Sequence, residues 1–161
     1  MDEQTSISQQ FNPNDRELYL YNDIEDCEVL ELVCIINFLN KYDDKSENEY
    51  YESRVKYIKE NFDIDEQNIA IKPYEREPII LHIACCGGIY EAGISLINTI
   101  KSSNTPIVGI VDSNCYSMAV PVLLYCDYKL GYASSRVMIH DVSTVIDGKG
   151  RHIERKLEDM K

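Results

Sequence analysis

Residues 78–88 read Pro-Ile-Ile-Leu-His-Ile-Ala-Cys-Cys-Gly-Gly. A proline opens a short, nearly all-apolar run, Ile79 to Ile83, of the kind a buried parallel strand requires, and Gly87-Gly88 follows it. Beyond the glycines, Ile89, Gly93, Leu96, Ile97 and Ile100 fall on one side of a helix over about 89–102. The pattern then repeats. Pro106 to Val111 reads as a second buried strand, and another helix starts near Ser117, with Pro121 close enough to its start to be tolerated. Tyr128–Gly131 and Val137–Ile139 read as further short strands. Strand, helix, strand, helix at this spacing predicts an α/β fold with a mainly parallel sheet.

Upstream, Leu18 to Tyr21 reads as a strand, and Val29, Leu32, Val33, Ile36 and Leu39 predict a helix over 25–40 packed on one face. Residues 1–15 are polar, with a turn signal at Asn12-Pro13-Asn14, and are expected to form a flexible arm. The stretch 41–77 holds 11 acidic and 7 basic residues and few apolar ones, so it is expected to be an acidic surface insertion. Within it, Ser46 and Glu49 have capping-box spacing. Tyr51, Val55, Ile58 and Phe62 form one stripe of a short helix, expected to be partly buried. Near the end, Asp147-Gly148 marks a turn, and a polar helix begins near Arg151.

At 161 residues the chain fits a single domain with a full core. Its net charge of -12 argues against nucleic acid, which demands clustered Lys and Arg. No apolar run approaches the roughly 20 residues of a membrane span. The first ten residues are polar and acidic, unlike a secretory signal, which predicts a cytoplasmic protein. The six cysteines, at 27, 34, 85, 86, 115 and 126, are then expected to be reduced thiols. They contain no C-x-x-C pair and have no histidine at ligand spacing, so no metal site is expected.

Acyl transfer to water needs a nucleophile, a base and donors aimed at the developing oxyanion. Gly87-Gly88 lies between a strand and a helix, where backbone N–H groups can approach a substrate. Ser117 also stands at a strand-to-helix corner, and His140 follows the strand Val137–Ile139. Three strand ends on one edge of a parallel sheet form the usual place for an α/β site. Taken singly, these features fit a tight turn, a helix N-cap and a structural histidine better than a catalytic site. Cys85, Cys86 and Cys115 read as small buried filler, and His82 as a satisfied core histidine.

Three motifs in order carry a sharper signal. Ser135-Arg136-Val137-Met138-Ile139-His140 resembles the histidine motif of the Clp protease family, and Cys115-Tyr116-Ser117-Met118-Ala119 resembles its nucleophile motif. Gly87-Gly88 with Ala92-Gly93 is similar to its glycine-rich segment and following helix. The resemblance is strong over 78–161 and looser over 16–40. It implies the Clp protease/crotonase-like fold of repeated β-α units and a serine endopeptidase, with Ser117 as nucleophile and His140 as base. The oxyanion hole would be the N–H groups of Gly88 and Met118. It also implies ring self-association around a chamber and an AAA+ unfoldase partner that feeds in polypeptides. ATP would be used by that partner and no cofactor held here: in the phosphate-loop outline Gly88-x-x-x-x-Gly93-Ile94-Ser95, Ile94 stands where the lysine belongs. A non-catalytic ring or assembly subunit and a capsid-maturation protease of the same family are the alternatives.

The chain departs from the family pattern in places. Ala84-Cys85-Cys86 replaces the usual Asn-Ser-Pro, and Cys115-Tyr116 replaces two alanines. The family's aspartate follows its histidine by roughly fifty residues, whereas here the sequence ends 21 residues after His140 (161 − 140). The ring-to-ring handle helix is thus expected to be truncated and the C-terminal part of the fold absent. Among the nearer carboxylates, Asp141 would point to the opposite face of a continuing strand. Asp147, Glu154, Glu158 and Asp159 remain as possible orienters.

Overall fold

A computed structural model describes residues 11–62 and 69–140. In chain order the elements are β1 (Glu17–Leu20), α1 (Asp26–Asn61), β2 (Ile79–Cys85), α2 (Tyr90–Ser102), β3 (Ile107–Tyr116), α3 (Ala119–Tyr125), β4 (Tyr128–Gly131) and β5 (Arg136–Met138). The strands form one wholly parallel sheet in the order β1-β2-β3-β4. β5 also pairs β3, at Asn114–Tyr116, beyond the last residue paired with β4. The mainly parallel α/β fold expected from the sequence is what forms.

The core lies on one face of this sheet. Ile79, Leu81, Ile83 and Cys85 are buried while Ile80, His82 and Ala84 between them are half-buried. Against the buried face sit Val29, Leu32, Ile36 and Leu39 of α1, Leu96, Ile97 and Ile100 of α2, and Val122 of α3, all in one apolar cluster. β2 is therefore a one-sided strand rather than one covered on both faces. His82 is correspondingly not a core histidine. It is 18% exposed, stacks on Tyr19 and lies 2.9 Å by Nδ1 from Asp112 Oδ2, which also accepts a hydrogen bond from Tyr21.

The first helix corrects the sequence reading most. It does not stop at 40 but runs 36 residues to Asn61, so Ser46 is a mid-helix residue and caps nothing. No glycine or proline interrupts 26–61, and the Lys45–Glu49 and Lys56–Glu60 pairs lie along its solvent side. Helix propensity thus carries it past the point where the apolar stripe thins. Tyr51, Val55 and Ile58 are half-buried as expected, but Phe62 is exposed.

Nor does position 41 divide core from surface. Asp43 is buried to 2% exposure and accepts hydrogen bonds from Arg16 and Thr105, themselves buried. Asp44 beside it and Glu47 one turn further out bind Arg76. Arg16, Arg76 and Thr105 precede β1, β2 and β3 in sequence, so this charged network pins the end of the sheet where its strands begin. The expected arm (residues 1–10 of it), the Asp147-Gly148 turn and the polar helix from Arg151 lie outside the described residues.

Candidate active site

The other end of the sheet, where the strands finish, brings the sequence-predicted residues together. β3 runs to Tyr116, longer than the sequence suggested, and α3 begins at Ala119. Between them Ser117 has φ 50, the only positive value at a non-glycine residue among those described. A left-handed serine costs roughly 1–2 kcal/mol, so something must hold it there. Its N–H donates to the Met138 carbonyl of β5 at 2.9 Å, and its carbonyl accepts from the Val120 N–H at 3.1 Å. A serine on a strained strand-to-helix turn is the geometry that exposes a nucleophilic hydroxyl.

The glycine loop packs against this corner. Gly87 has φ 104, and a Cβ added to it would stand 2.7 Å from the Ser117 Cβ and 3.0 Å from the Met118 nitrogen. No residue with a side chain fits there. Gly88, at φ 149, presses on the backbone of Ile24, where a Cβ would meet the nitrogen at 2.6 Å. Ile24, fully buried, clamps the loop from both sides. Its N–H donates to the Gly87 carbonyl at 2.7 Å and its carbonyl accepts from the Ile89 N–H at 2.8 Å. That bridge runs through the neighbours of Gly88 and leaves the Gly88 N–H out of the ladder. Gly87 N–H in turn donates to the Cys85 Sγ at 3.3 Å.

β5 supplies the remaining group. Its register, Tyr116 opposite Met138, carries the chain past Ser117, and His140 follows two residues beyond the strand. Ser117, His140, Gly88 and Met118 line one cleft of about 810 Å³. Ile89, Val120, Pro121, Leu124 and Ile139 make its walls largely apolar, and Tyr90, Glu91 and Cys86 complete it. A second hollow, of about 590 Å³, follows the outer turns of α1 at Tyr51, Val55 and Lys59 and contains neither nucleophile nor base.

The cysteines divide by position. Cys85 and Cys115 are buried partners across β2 and β3. Burial pushes both thiols up, Cys115 to about 11, which makes them poor nucleophiles. Cys86 is not filler: the strand has ended, its side chain is exposed in the cleft, and the Asn114 amide donates to its Sγ at 3.4 Å. Glu25, Cys27 and Glu28 at the start of α1 are near enough together to hold a cation. There, however, the Cys27 thiol donates to Glu28 and is raised by that bond, so it favours its protonated form.

The structure brings the four residues named from the sequence, Ser117, His140, Gly88 and Met118, into one cleft; sequence reasoning missed the strain at Ser117, the Ile24 clamp and the place of Glu91 in the cleft. Only the last had a usable signal, three positions after Gly88 in a helix's first turn. The possible orienters Asp141, Asp147, Glu154, Glu158 and Asp159 lie outside the described residues. Among the described residues no helix is long and apolar enough to cross a membrane. Compared with known proteins, residues 66–161 match the family model described as Clp protease, well over half the chain. No curated protein matches it.

Proposed function

The chain belongs to the Clp protease family, and from that premise we propose that it is a serine endopeptidase subunit acting on unfolded polypeptides. In this reading Ser117 Oγ attacks the scissile carbonyl carbon as His140 takes its proton, and the carbonyl oxygen, now an oxyanion, is met by the N–H groups of Gly88 and Met118. Collapse of the tetrahedral adduct breaks the C–N bond. His140 gives its proton to the leaving amine, and an acyl ester remains on Ser117. Water, deprotonated by the same imidazole, then attacks the ester, and Ser117 Oγ leaves with the returned proton.

The observation that carries this reading is the left-handed turn at Ser117, packed against Gly87 and bonded to β5, in the cleft that also holds His140 and Gly88. Strain of that kind persists only where surrounding structure over-determines it, and it clusters at functional sites. The apolar walls suit an extended polypeptide better than a small polar ligand. The proposal extends to assembly in rings and to feeding by an AAA+ unfoldase, so that ATP is spent by the partner.

A fluorophosphonate probe tests the chemistry directly. Wild-type protein should be labelled, and Ser117→Ala should not. Cys86→Ala should label like wild type, while His140→Ala should lower the labelling rate and any peptide hydrolysis by roughly 10⁴-fold or more. Equal labelling of wild type and Ser117→Ala would reject Ser117. A folded protein that is never labelled would favour the non-catalytic ring subunit.

A further inference from the structure

Glu91 stands in the first turn of α2, three positions after Gly88, exposed, with its side chain lining the same cleft as Ser117. No lysine or arginine lines that cleft among the described residues. None of their ion pairs or hydrogen bonds engages the Glu91 carboxylate either. Of the exposed acids of α1, Glu49 and Glu60 each hold a lysine one turn away while Glu31 and Glu52 hold none among the described residues, so what sets Glu91 apart is its place in the cleft. An acid in a helix's first turn is favoured by the helix dipole whatever its surroundings. Helix polarity does not account for a carboxylate placed on an otherwise apolar wall beside a nucleophile.

We propose that Glu91 selects substrate. The cleft takes polypeptide segments that carry a lysine or arginine within about two residues of the bond cut, next to large apolar side chains. This rests on the peptidase reading above. Glu91 follows Gly88 by three residues, at most about 11 Å along the chain, and an extended substrate advances about 3.3 Å per residue. A basic side chain one or two residues from the carbonyl held at Gly88 therefore comes alongside Glu91. The net charge of -12 draws basic segments toward the protein generally, and Glu91 turns that pull into a positional preference. An exposed pair of this kind gives a modest selectivity, about 2- to 5-fold at low salt, which shrinks as the Debye length falls to about 8 Å at 0.15 M.

The test compares two fluorescent peptides with the same apolar segment, one bearing Lys and one Glu beside it. Binding is read by anisotropy on the Ser117→Ala protein, and kcat/KM on the Ser117 protein. The ratio of Lys to Glu peptide should favour Lys, fall toward one in Glu91→Gln and invert in Glu91→Lys. It should be unchanged in Glu49→Gln, which removes the same unit of charge away from the cleft. Equal ratios in Glu91→Gln and Glu49→Gln would overturn the inference, as would failure to bind either peptide. A Glu91-dependent ratio in binding without Ser117-dependent hydrolysis would sink the peptidase reading and support the selection. Hydrolysis with no Glu91 dependence would do the reverse.

Discussion

Replacing Asp43 with alanine should destabilise the protein more than any change on the outer half of α1. Asp43 is 2% exposed, and its two oxygens accept from the Arg16 guanidinium, once at 2.9 Å, while Thr105 Oγ1 donates to it at 2.6 Å. Removing the carboxylate leaves Arg16, at 8% exposure, with a buried charge answered only by the Glu77 carbonyl and a 3.6 Å contact to the Glu77 carboxylate. Breaking one side of such a pair costs about 3–5 kcal/mol. At roughly 2–4 °C per kcal/mol for a chain of this size, Tm should fall by about 6–20 °C. Glu49→Ala, which breaks an exposed helix pair with Lys45, should cost under about 1 kcal/mol. Burial by itself would raise the Asp43 carboxyl, but the hydrogen bonds and charge of Arg16 and the Thr105 hydroxyl outweigh it and hold the group below its ordinary value. A folded-state value below the unfolded one, about 3.9, means this stability is present above about pH 4 and is lost as pH falls through the folded value. The gap between wild type and Asp43→Asn should therefore narrow below about pH 4. Urea melts followed by circular dichroism measure both effects. Equal costs for Asp43→Ala and Glu49→Ala would refute the buried network, and with it the continuity of α1 into the core.

Three further outcomes follow from particular contacts. Gly88→Ala should lower stability by about 1–3 kcal/mol through its φ and its collision with the Ile24 backbone. Gly131→Ala, whose Cβ would meet nothing closer than 3.6 Å, should stay within about 0.5 kcal/mol, and a large loss there would contradict the sheet edge. With a thiol reagent at pH 8, exposed Cys86 should react fastest and Cys27, held by Glu28, more slowly; buried Cys85, Cys115 and Cys126 should wait for unfolding. Early reaction at Cys115 would contradict its burial. In an absorbance titration, Tyr21→Phe should remove a phenol that ionises near pH 12, raised chiefly by its hydrogen bond to Asp112. That bond's contribution is full below about pH 10 and is lost as the pH rises toward 12. Loss of an ordinary tyrosine transition instead would show that the bond does not form.

What the sequence disclosed is governed by the range of the interactions involved. β2, α2 and β3 were readable because an apolar run, a glycine pair and a helical stripe are local patterns, each satisfied within a few residues. α1 was cut short for the same reason in reverse. Its apolar stripe thins after Leu39, and the partners that anchor Asp43, Arg16 and Thr105, lie 27 and 62 positions away. Such a pairing has no period to read. Ser117, Gly88, Met118 and His140 were named through motifs, and the structure places them in one cleft. The left-handed turn at Ser117 is invisible in composition, because it is imposed from outside by Gly87 and by the Met138 carbonyl of a strand twenty residues later.

That imposed turn ties the two ends of the sheet to different tasks. At the ends where strands begin, Arg16, Asp43, Thr105 and Arg76 use charge to fix where β1, β2, β3 and α1 stand. At the ends where strands finish, the chain accepts an unfavourable serine conformation and two glycines held by the Ile24 backbone and the Cys85 sulfur. A parallel sheet transmits registration along its strands, so anchoring one end in a buried network leaves the other free to carry strain. The register shift between Ile83 and Cys85 falls between these regions, just before the glycine loop. The extra residues of that shift lie on β3, between Val111 and Cys115, while the alternation of β2 runs unbroken to Cys85. That alternation buries Cys85 under the loop, where its sulfur accepts from the Gly87 N–H, and the end of the strand leaves Cys86 open to the cleft.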